Sequence, residues 1–76
     1  MKQDLKQAFG TVVKTLREEL GLSQQELADY SDVDRTYISD LERGLYSPSL
    51  NTVYKLAEIL KQKPHELLQR VDVLMK

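Results

Sequence analysis

Apolar residues recur along the chain at intervals of three and four, which is the repeat of an amphipathic α-helix. The first such run consists of Leu5, Phe9, Val12, Val13, Leu16 and Leu20. Gly21 follows this run and suits the end of a helix, because glycine adopts the left-handed conformation without a steric cost. No segment alternates apolar and polar residues at a period of two. The pattern therefore predicts helices and no strands.

Capping residues mark where the later helices begin. The expected N-terminal signals are Ser23, Asp34, Ser49 and Pro64. Ser23 stands three residues before Glu26, the spacing of a capping box. Gly44 suits the end of the third helix. These signals divide the chain into five short helices.

The later helices also carry apolar positions at helical spacing. The second helix is expected to bury Leu27 and Ala28, and the third to bury Ile38 and Leu41. The apolar face of the fourth helix consists of Leu50, Val53, Leu56, Ala57 and Leu60. The apolar face of the fifth helix consists of Leu67, Leu68, Val71, Leu74 and Met75. Helices joined by short connections form one all-α bundle. We therefore expect a single domain over residues 1–76.

Composition narrows the possible functions. The 76 residues include no cysteine, which excludes disulfides, thiolate metal sites and cysteine nucleophiles. His65 is the only histidine and has no evident partner, so we expect no metal, no cofactor and no enzyme activity. No apolar run approaches the length of a bilayer span, and we expect a cytoplasmic protein without a membrane contact. The sequence has eleven basic and twelve acidic residues, so any affinity for nucleic acid depends on a local cluster of basic residues.

The second and third helices are predicted to cross at a tight turn. Ala28 is small enough for a close crossing, Val33 fills the turn, and Ile38 and Leu41 anchor the third helix from one side. The opposite face of that helix is then available to a partner.

The residues that form this crossing carry a resemblance to a known family. Residues 20–28 (LGLSQQELA), 37–44 (YISDLERG), 48–50 (PSL) and 55–57 (KLA) resemble the lambda-repressor-like (XRE) helix-turn-helix family. The likeness covers about residues 9–68. Residues 34–39 (DRTYIS) are similar to controller proteins of restriction–modification systems. The resemblance implies a five-helix lambda-repressor-like DNA-binding domain.

The resemblance also implies that the third helix enters the major groove of DNA. Its expected base contacts are Arg35, Thr36 and Ser39. Arg35 is the foremost of these, because a guanidinium can bind the O6 and N7 atoms of guanine together. Thr36 could meet a thymine methyl group or donate to a phosphate, and Ser39 could bond to any base or to water.

Other residues are expected to contact the sugar-phosphate backbone. They are Gln24, Tyr37, Arg43, Ser47, Ser49 and Asn51. Gln24 begins the second helix, where free N–H groups favour an anion. The four tyrosines are not spaced as a stacking platform and are expected to pack with their polar ends outward. Arg17 and Glu42 match the positions of a family ion pair that braces the first helix against the third.

Acidic residues are unusually frequent in this motif. Asp32 stands where the family most often has glycine, and aspartate tolerates the left-handed conformation better than most residues. Asp40 could accept from a cytosine N4 group or be a plain solvated acid. Asp29 has no structural explanation in the sequence and is a candidate contact for RNA polymerase.

The last helix continues beyond the family-like core, over residues 69–76. Its apolar residues either fold back onto their own bundle or form a two-fold dimer interface. We favour the dimer, with Leu67, Val71, Leu74 and Met75 at the interface. Two recognition helices could then reach successive turns of an inverted repeat, about 34 Å apart.

The sequence thus predicts a dimeric, sequence-specific transcriptional regulator of double-stranded DNA, with no small-molecule effector. The alternative is a protein–protein interaction module, such as an antitoxin or an adaptor, that docks through the acidic face of the second helix.

Overall fold

A computed structural model describes residues 2–76, and it contains five α-helices and no strand within that range. The helices are α1 (Leu5–Glu19), α2 (Gln24–Ser31), α3 (Arg35–Glu42), α4 (Leu50–Ile59) and α5 (Pro64–Met75). The predicted all-α class is confirmed. The predicted helix order and approximate boundaries also agree with the structure.

Side-chain caps begin several of these helices, as the sequence indicated. Ser23 Oγ accepts from the backbone N–H of Glu26 at 3.0 Å, and the Glu26 carboxylate accepts from the Ser23 N–H at 2.9 Å. Ser49 Oγ accepts from the N–H of Thr52 at 3.1 Å. Asp34 occupies the N-cap position of α3, but its side chain makes no capping hydrogen bond. The predicted N-cap position of Asp34 is confirmed, and α3 begins there without a hydrogen bond from the Asp34 side chain.

A residue in the left-handed backbone conformation follows each of the first four helices. Gly21 (φ 71°) and Gly44 (φ 76°) follow α1 and α3, as predicted. Asp32 (φ 56°) supplies the same conformation after α2. Lys61 (φ 60°) does so after α4, although a lysine gains nothing from this conformation.

All five helices contribute to one apolar core. Its largest fully buried side chains are Phe9, Leu27, Ile38, Leu41, Leu56, Leu60, Leu67 and Val13. Leu50 was assigned to the inner face of α4, but it is 73% exposed in the first turn of that helix. Leu68 and the terminal residues of the α1 pattern, Leu5 and Leu20, are also exposed.

The backbones of α1 and α3 approach each other closely at Gly10, which is buried. A Cβ atom at this position would overlap the carbonyl oxygen of Leu41 and would lie 2.9 Å from that of Glu42. The absence of a side chain at Gly10 therefore sets the distance between the first helix and the end of the third.

The final helix packs back onto the bundle. Leu67 (0% exposed) and Val71 (2% exposed) are buried in the core of their own protomer. The prediction that these two residues form a dimer interface was wrong, because a side chain without accessible surface cannot be buried again by a second subunit. Leu74 and Met75 are partly buried and pack against the same core.

The two ends of the described chain are joined by a backbone hydrogen bond. The N–H of Gln3 donates to the carbonyl oxygen of Leu74 at 3.1 Å. The side chain of Gln3 also accepts from the Thr11 hydroxyl at 3.0 Å. In residues 2–76, no helix is long and apolar enough to cross a membrane.

Candidate nucleic-acid interface

One face of α3 is polar and accessible while the other is anchored in the core. Ile38 and Leu41 are both 0% exposed. Arg35 and Thr36 are exposed in the first turn of the helix, and Ser39 is partly exposed one turn later. At about 100° per residue, Arg35, Thr36 and Ser39 fall within roughly 100° of the helix circumference. The structure therefore brings the three expected base-contacting residues onto one surface.

A buried ion pair braces the back of this helix. Arg17 Nε donates to Glu42 Oε2 at 2.7 Å, and Arg17 NH2 donates to Glu42 Oε1 at 3.0 Å. The two side chains are only 10% and 3% exposed. The hydrogen bonds to Glu42 raise the pKa of the Arg17 guanidinium above its ordinary value, so the guanidinium stays charged. The sequence placed these residues together but left their burial open.

The same pair reaches the beginning of α2. Arg17 NH1 donates to the carbonyl oxygen of Leu22 at 2.8 Å. Gln24 Nε2 donates to Glu42 Oε1 at 3.0 Å. Gln24 is partly exposed, so its carboxamide is held against the end of α3 while its residue keeps accessible surface. Sequence reasoning missed this bond, because nothing in the spacing of residues 24 and 42 signals it.

Two tyrosines stack beside the recognition helix. The ring centroids of Tyr37 and Tyr46 are 6.0 Å apart, and the ring planes are 20° from parallel. No sequence signal indicated this pair, because the two residues are nine positions apart and lie in different elements. Tyr37 is partly buried on α3, whereas Tyr46 lies in the connection to α4. The stack therefore fastens that connection to the recognition helix.

The connection between α3 and α4 presents small polar groups. Ser47, Ser49 and Asn51 are exposed. The Ser49 hydroxyl caps α4 and also lies 3.0 Å from Thr52 Oγ1. Its hydrogen-bonding capacity is therefore partly used within the helix turn. A phosphate at this helix start would still meet free backbone N–H groups.

Arg43 follows the last residue of α3. Its side chain is 68% exposed, and its NH1 atom lies 3.6 Å from Asp40 Oδ1. This pairing explains Asp40 without a contact to a base. An exposed pair of this kind contributes little to stability, but it lowers the positive charge that Arg43 offers to an anion.

The remaining acids of the motif lie on α2 and at the turn that follows it. Asp29 Oδ1 accepts from Gln25 Nε2 at 2.8 Å on the exposed side of α2. Asp29, Asp32 and Asp34 border the same shallow depression at the turn between α2 and α3. Over residues 2–76, no group of three His, Cys, Asp or Glu residues could hold a metal ion.

Comparison with known proteins identifies the family of this chain. The model of the helix-turn-helix family HTH_3 matches residues 13–68. The chain belongs to this helix-turn-helix family. The predicted resemblance to lambda-repressor-like regulators, and to controller proteins in particular, is confirmed.

Several relatives of this helix-turn-helix chain are controller proteins. The chain is 38% identical over 69 residues to the control protein C.BamHI of Bacillus amyloliquefaciens, covering 90% of this chain and 85% of that protein. The restriction–modification controller C.AhdI of Aeromonas hydrophila is 44% identical, with a TM-score of 0.78 over 84% of this chain and 96% of that one. The controller C.Esp1396I, solved as a tetramer with its natural 35 base-pair operator, is 26% identical. That match has a TM-score of 0.85 and covers 97% of both chains.

Proposed function

We propose that this helix-turn-helix chain is a transcriptional regulator that binds double-stranded DNA sequence-specifically, in the manner of a controller protein. The observation that carries the proposal is the polar surface of Arg35, Thr36 and Ser39 on a helix anchored by Ile38 and Leu41. A helix held this way offers its N-terminal turn to the major groove without unfolding any part of the core.

Arg35 supplies most of the proposed sequence readout. Its guanidinium can donate to guanine O6 and N7 together, a contact worth about 1–3 kcal/mol of discrimination against the wrong base. Thr36 offers a methyl group to thymine, and Ser39 donates or accepts as the base requires. The exposure of Arg35 leaves its guanidinium accessible to an operator.

The phosphate backbone is proposed to contact the rim of this surface. Gln24 begins α2, and Asn51 lies in the first turn of α4, so both stand beside free N–H groups. Arg43 contributes charge, and Ser47 and Ser49 contribute hydroxyls. Tyr37 is proposed to contact the sugar-phosphate edge next to its stacking partner. These contacts would fix the orientation of the domain on the duplex.

The proposed active form is a homodimer on an inverted repeat. Leu74 and Met75 remain as proposed interface residues at the end of α5, because each keeps part of its surface accessible. A dimer places two recognition helices about 34 Å apart, and its formation makes occupancy depend steeply on protein concentration. Protein concentration, rather than a small effector, would then control binding in the cytoplasm.

Two variants test the proposed function, one at a residue proposed to contact bases and one at a residue proposed to contact the phosphate backbone. Fluorescence anisotropy would be measured on a duplex selected from a random pool and on a scrambled duplex, each at several salt concentrations. Arg35→Ala is expected to weaken binding to the selected duplex by about tenfold or more and to change the scrambled duplex little. Arg43→Ala is expected to weaken both and to reduce the salt slope. Arg70→Ala, an exposed arginine of α5, is the control.

Two results would overturn these assignments. Equal losses from Arg35→Ala and Arg43→Ala on both duplexes would contradict direct readout by Arg35. A protein that sediments as a monomer at micromolar concentration, both free and on DNA, would contradict the dimer.

Asp29 is proposed to contact RNA polymerase. It is exposed on α2, and a partner could displace its single bond to Gln25. Asp29→Asn is expected to lower transcription from an activated promoter while leaving operator affinity unchanged. A loss of operator affinity instead would assign Asp29 to DNA binding.

The second candidate function is a protein–protein interaction module. The depression bordered by Asp29, Asp32 and Asp34 is the observation that favours it. Against it, the acids Glu26 and Glu42 already have partners within the chain. A mobility shift with random duplex at several salt concentrations distinguishes the two candidate functions, because a protein-docking module would not bind the duplex.

A further inference from the structure

Glu42 connects three elements through one carboxylate. Its Oε2 accepts from Arg17 Nε of α1, and its Oε1 accepts from both Arg17 NH2 and Gln24 Nε2 of α2. Glu42 itself is the last residue of α3. The carboxylate is 3% exposed, so these hydrogen bonds form away from competing water.

This arrangement fixes which way the Gln24 carboxamide is turned. A carboxylate accepts hydrogen bonds and donates none, so the nitrogen of the carboxamide must be the atom that faces Glu42. One N–H of Gln24 Nε2 is then used, and the other has no acceptor among the described residues. The positive charge of Arg17 offsets that of Glu42, so the carboxylate does not repel an approaching phosphate strongly.

We propose that Glu42 is a positioning residue that holds the Gln24 carboxamide ready to donate to a DNA phosphate. The inference rests on the proposed DNA-binding function. A free glutamine side chain must lose its rotational freedom when it binds, whereas one already held by Glu42 has lost that freedom on folding. Ordering of a long side chain in advance corresponds to about tenfold in affinity.

Arg17 also holds the backbone of the connection that precedes α2. Its bond to the carbonyl oxygen of Leu22 holds the residue before the Ser23 cap, at 2.8 Å. The connection from α1 to α2 and the end of α3 are therefore fixed by one ion pair. The Gln24 side chain and the N–H groups at the beginning of α2 are held in one fixed relation to the recognition helix.

A double-mutant cycle separates positioning from general structural support. Glu42→Asp keeps the charge that Arg17 needs but withdraws the carboxylate by one methylene, and Gln24→Ala removes the carboxamide while leaving the ion pair intact. Affinity for the selected duplex would be measured for both single variants and the double variant, with thermal denaturation of each. We expect Glu42→Asp to weaken binding by about fivefold to tenfold in the parent chain and not at all in the Gln24→Ala chain.

An equal loss in both backgrounds would overturn the proposal, since it would show that Glu42 supports the fold alone. Order of the Gln24 carboxamide, measured by ¹⁵N relaxation without DNA, is an independent readout. We expect it to be more rigid than the exposed Gln69 carboxamide in the parent chain and equally mobile in Glu42→Asp. Equal mobility of the two carboxamides in the parent chain would overturn the positioning role. If the parent chain bound no duplex, the proposed function would fail, and the relaxation result would still decide whether Glu42 orders Gln24.

Discussion

The close approach of α1 and α3 at Gly10 makes one substitution unusually informative. Glycine within a helix is ordinarily a weakness, and replacement by alanine gains about 1 kcal/mol of helix propensity. At Gly10 the added Cβ would lie 2.9 Å from the Glu42 carbonyl oxygen and closer still to that of Leu41. Ordinary contact between such atoms requires about 3.5 Å, so the two helices would have to separate by about 0.5 Å or more.

The clash involves the backbone of a second helix, which cannot rotate away as a flexible side chain can. Overpacking of this kind costs about 1–3 kcal/mol, and the larger values apply where backbone must move. After subtraction of the propensity gain, we expect Gly10→Ala to lower the free energy of unfolding by about 1–2 kcal/mol. For a domain of this size, the loss corresponds to a fall in melting temperature of about 5–15 °C.

Thermal and urea denaturation followed by circular dichroism would measure this loss. Lys14→Ala, at an exposed position of the same helix, is the matched control and is expected to change stability by less than about 0.5 kcal/mol. Gly21→Ala meets no atom within 4 Å but has a φ of 71°, so its expected loss of about 1 kcal/mol comes from backbone strain alone. A Gly10→Ala protein that is more stable than the parent would refute the close approach of α1 and α3.

Three further substitutions test other features. Arg17→Ala should cost about 3–5 kcal/mol in urea denaturation, because it leaves the buried Glu42 carboxylate without its cationic partner; a loss below about 1 kcal/mol would contradict that burial. Lys61→Gly should raise stability by about 0.5–1 kcal/mol by relieving a left-handed lysine, and unchanged melting would argue against that conformation. Asp40→Asn should strengthen binding to scrambled duplex severalfold and steepen its salt dependence, since it frees Arg43; unaltered binding would show that the Asp40 carboxylate does not restrain Arg43.

The helices were predictable because their ends are encoded locally. Ser23 and Glu26 form the expected capping box, and Gly21 and Gly44 have the expected positive φ. Such signals depend on residues a few positions apart, so a single sequence carries them. Asp34 shows the limit, because a side chain that can cap a helix need not turn toward it.

Which side of a helix each apolar residue faces was harder to predict. Periodicity identified the apolar residues of α5, but it could not show that Leu67 and Val71 face the core while Leu68 faces outward. Leu50 fits the α4 pattern and is nevertheless exposed, because the first turn of that helix extends beyond the core. These outcomes depend on how distant helices pack.

The candidate site likewise has features that the sequence predicted and features that it did not. The exposed polar face of α3 follows from the spacing of its anchors, Ile38 and Leu41, and was predicted. The contacts that brace it join residues far apart in the chain, such as Gln24 with Glu42 and Tyr37 with Tyr46. No local pattern encodes contacts of that kind, because they depend on how the helices pack.

The hydrogen bond between Gln3 and Leu74 has a practical consequence for protein engineering. Because the two ends of the described chain lie side by side, a short glycine-rich linker could join them. New termini opened between α4 and α5 would then leave α1 through α4 as an uninterrupted segment. A circularly permuted chain of this design could carry a fluorescent fusion ahead of α5, at an end separated from the recognition helix by α5, the linker, α1 and α2.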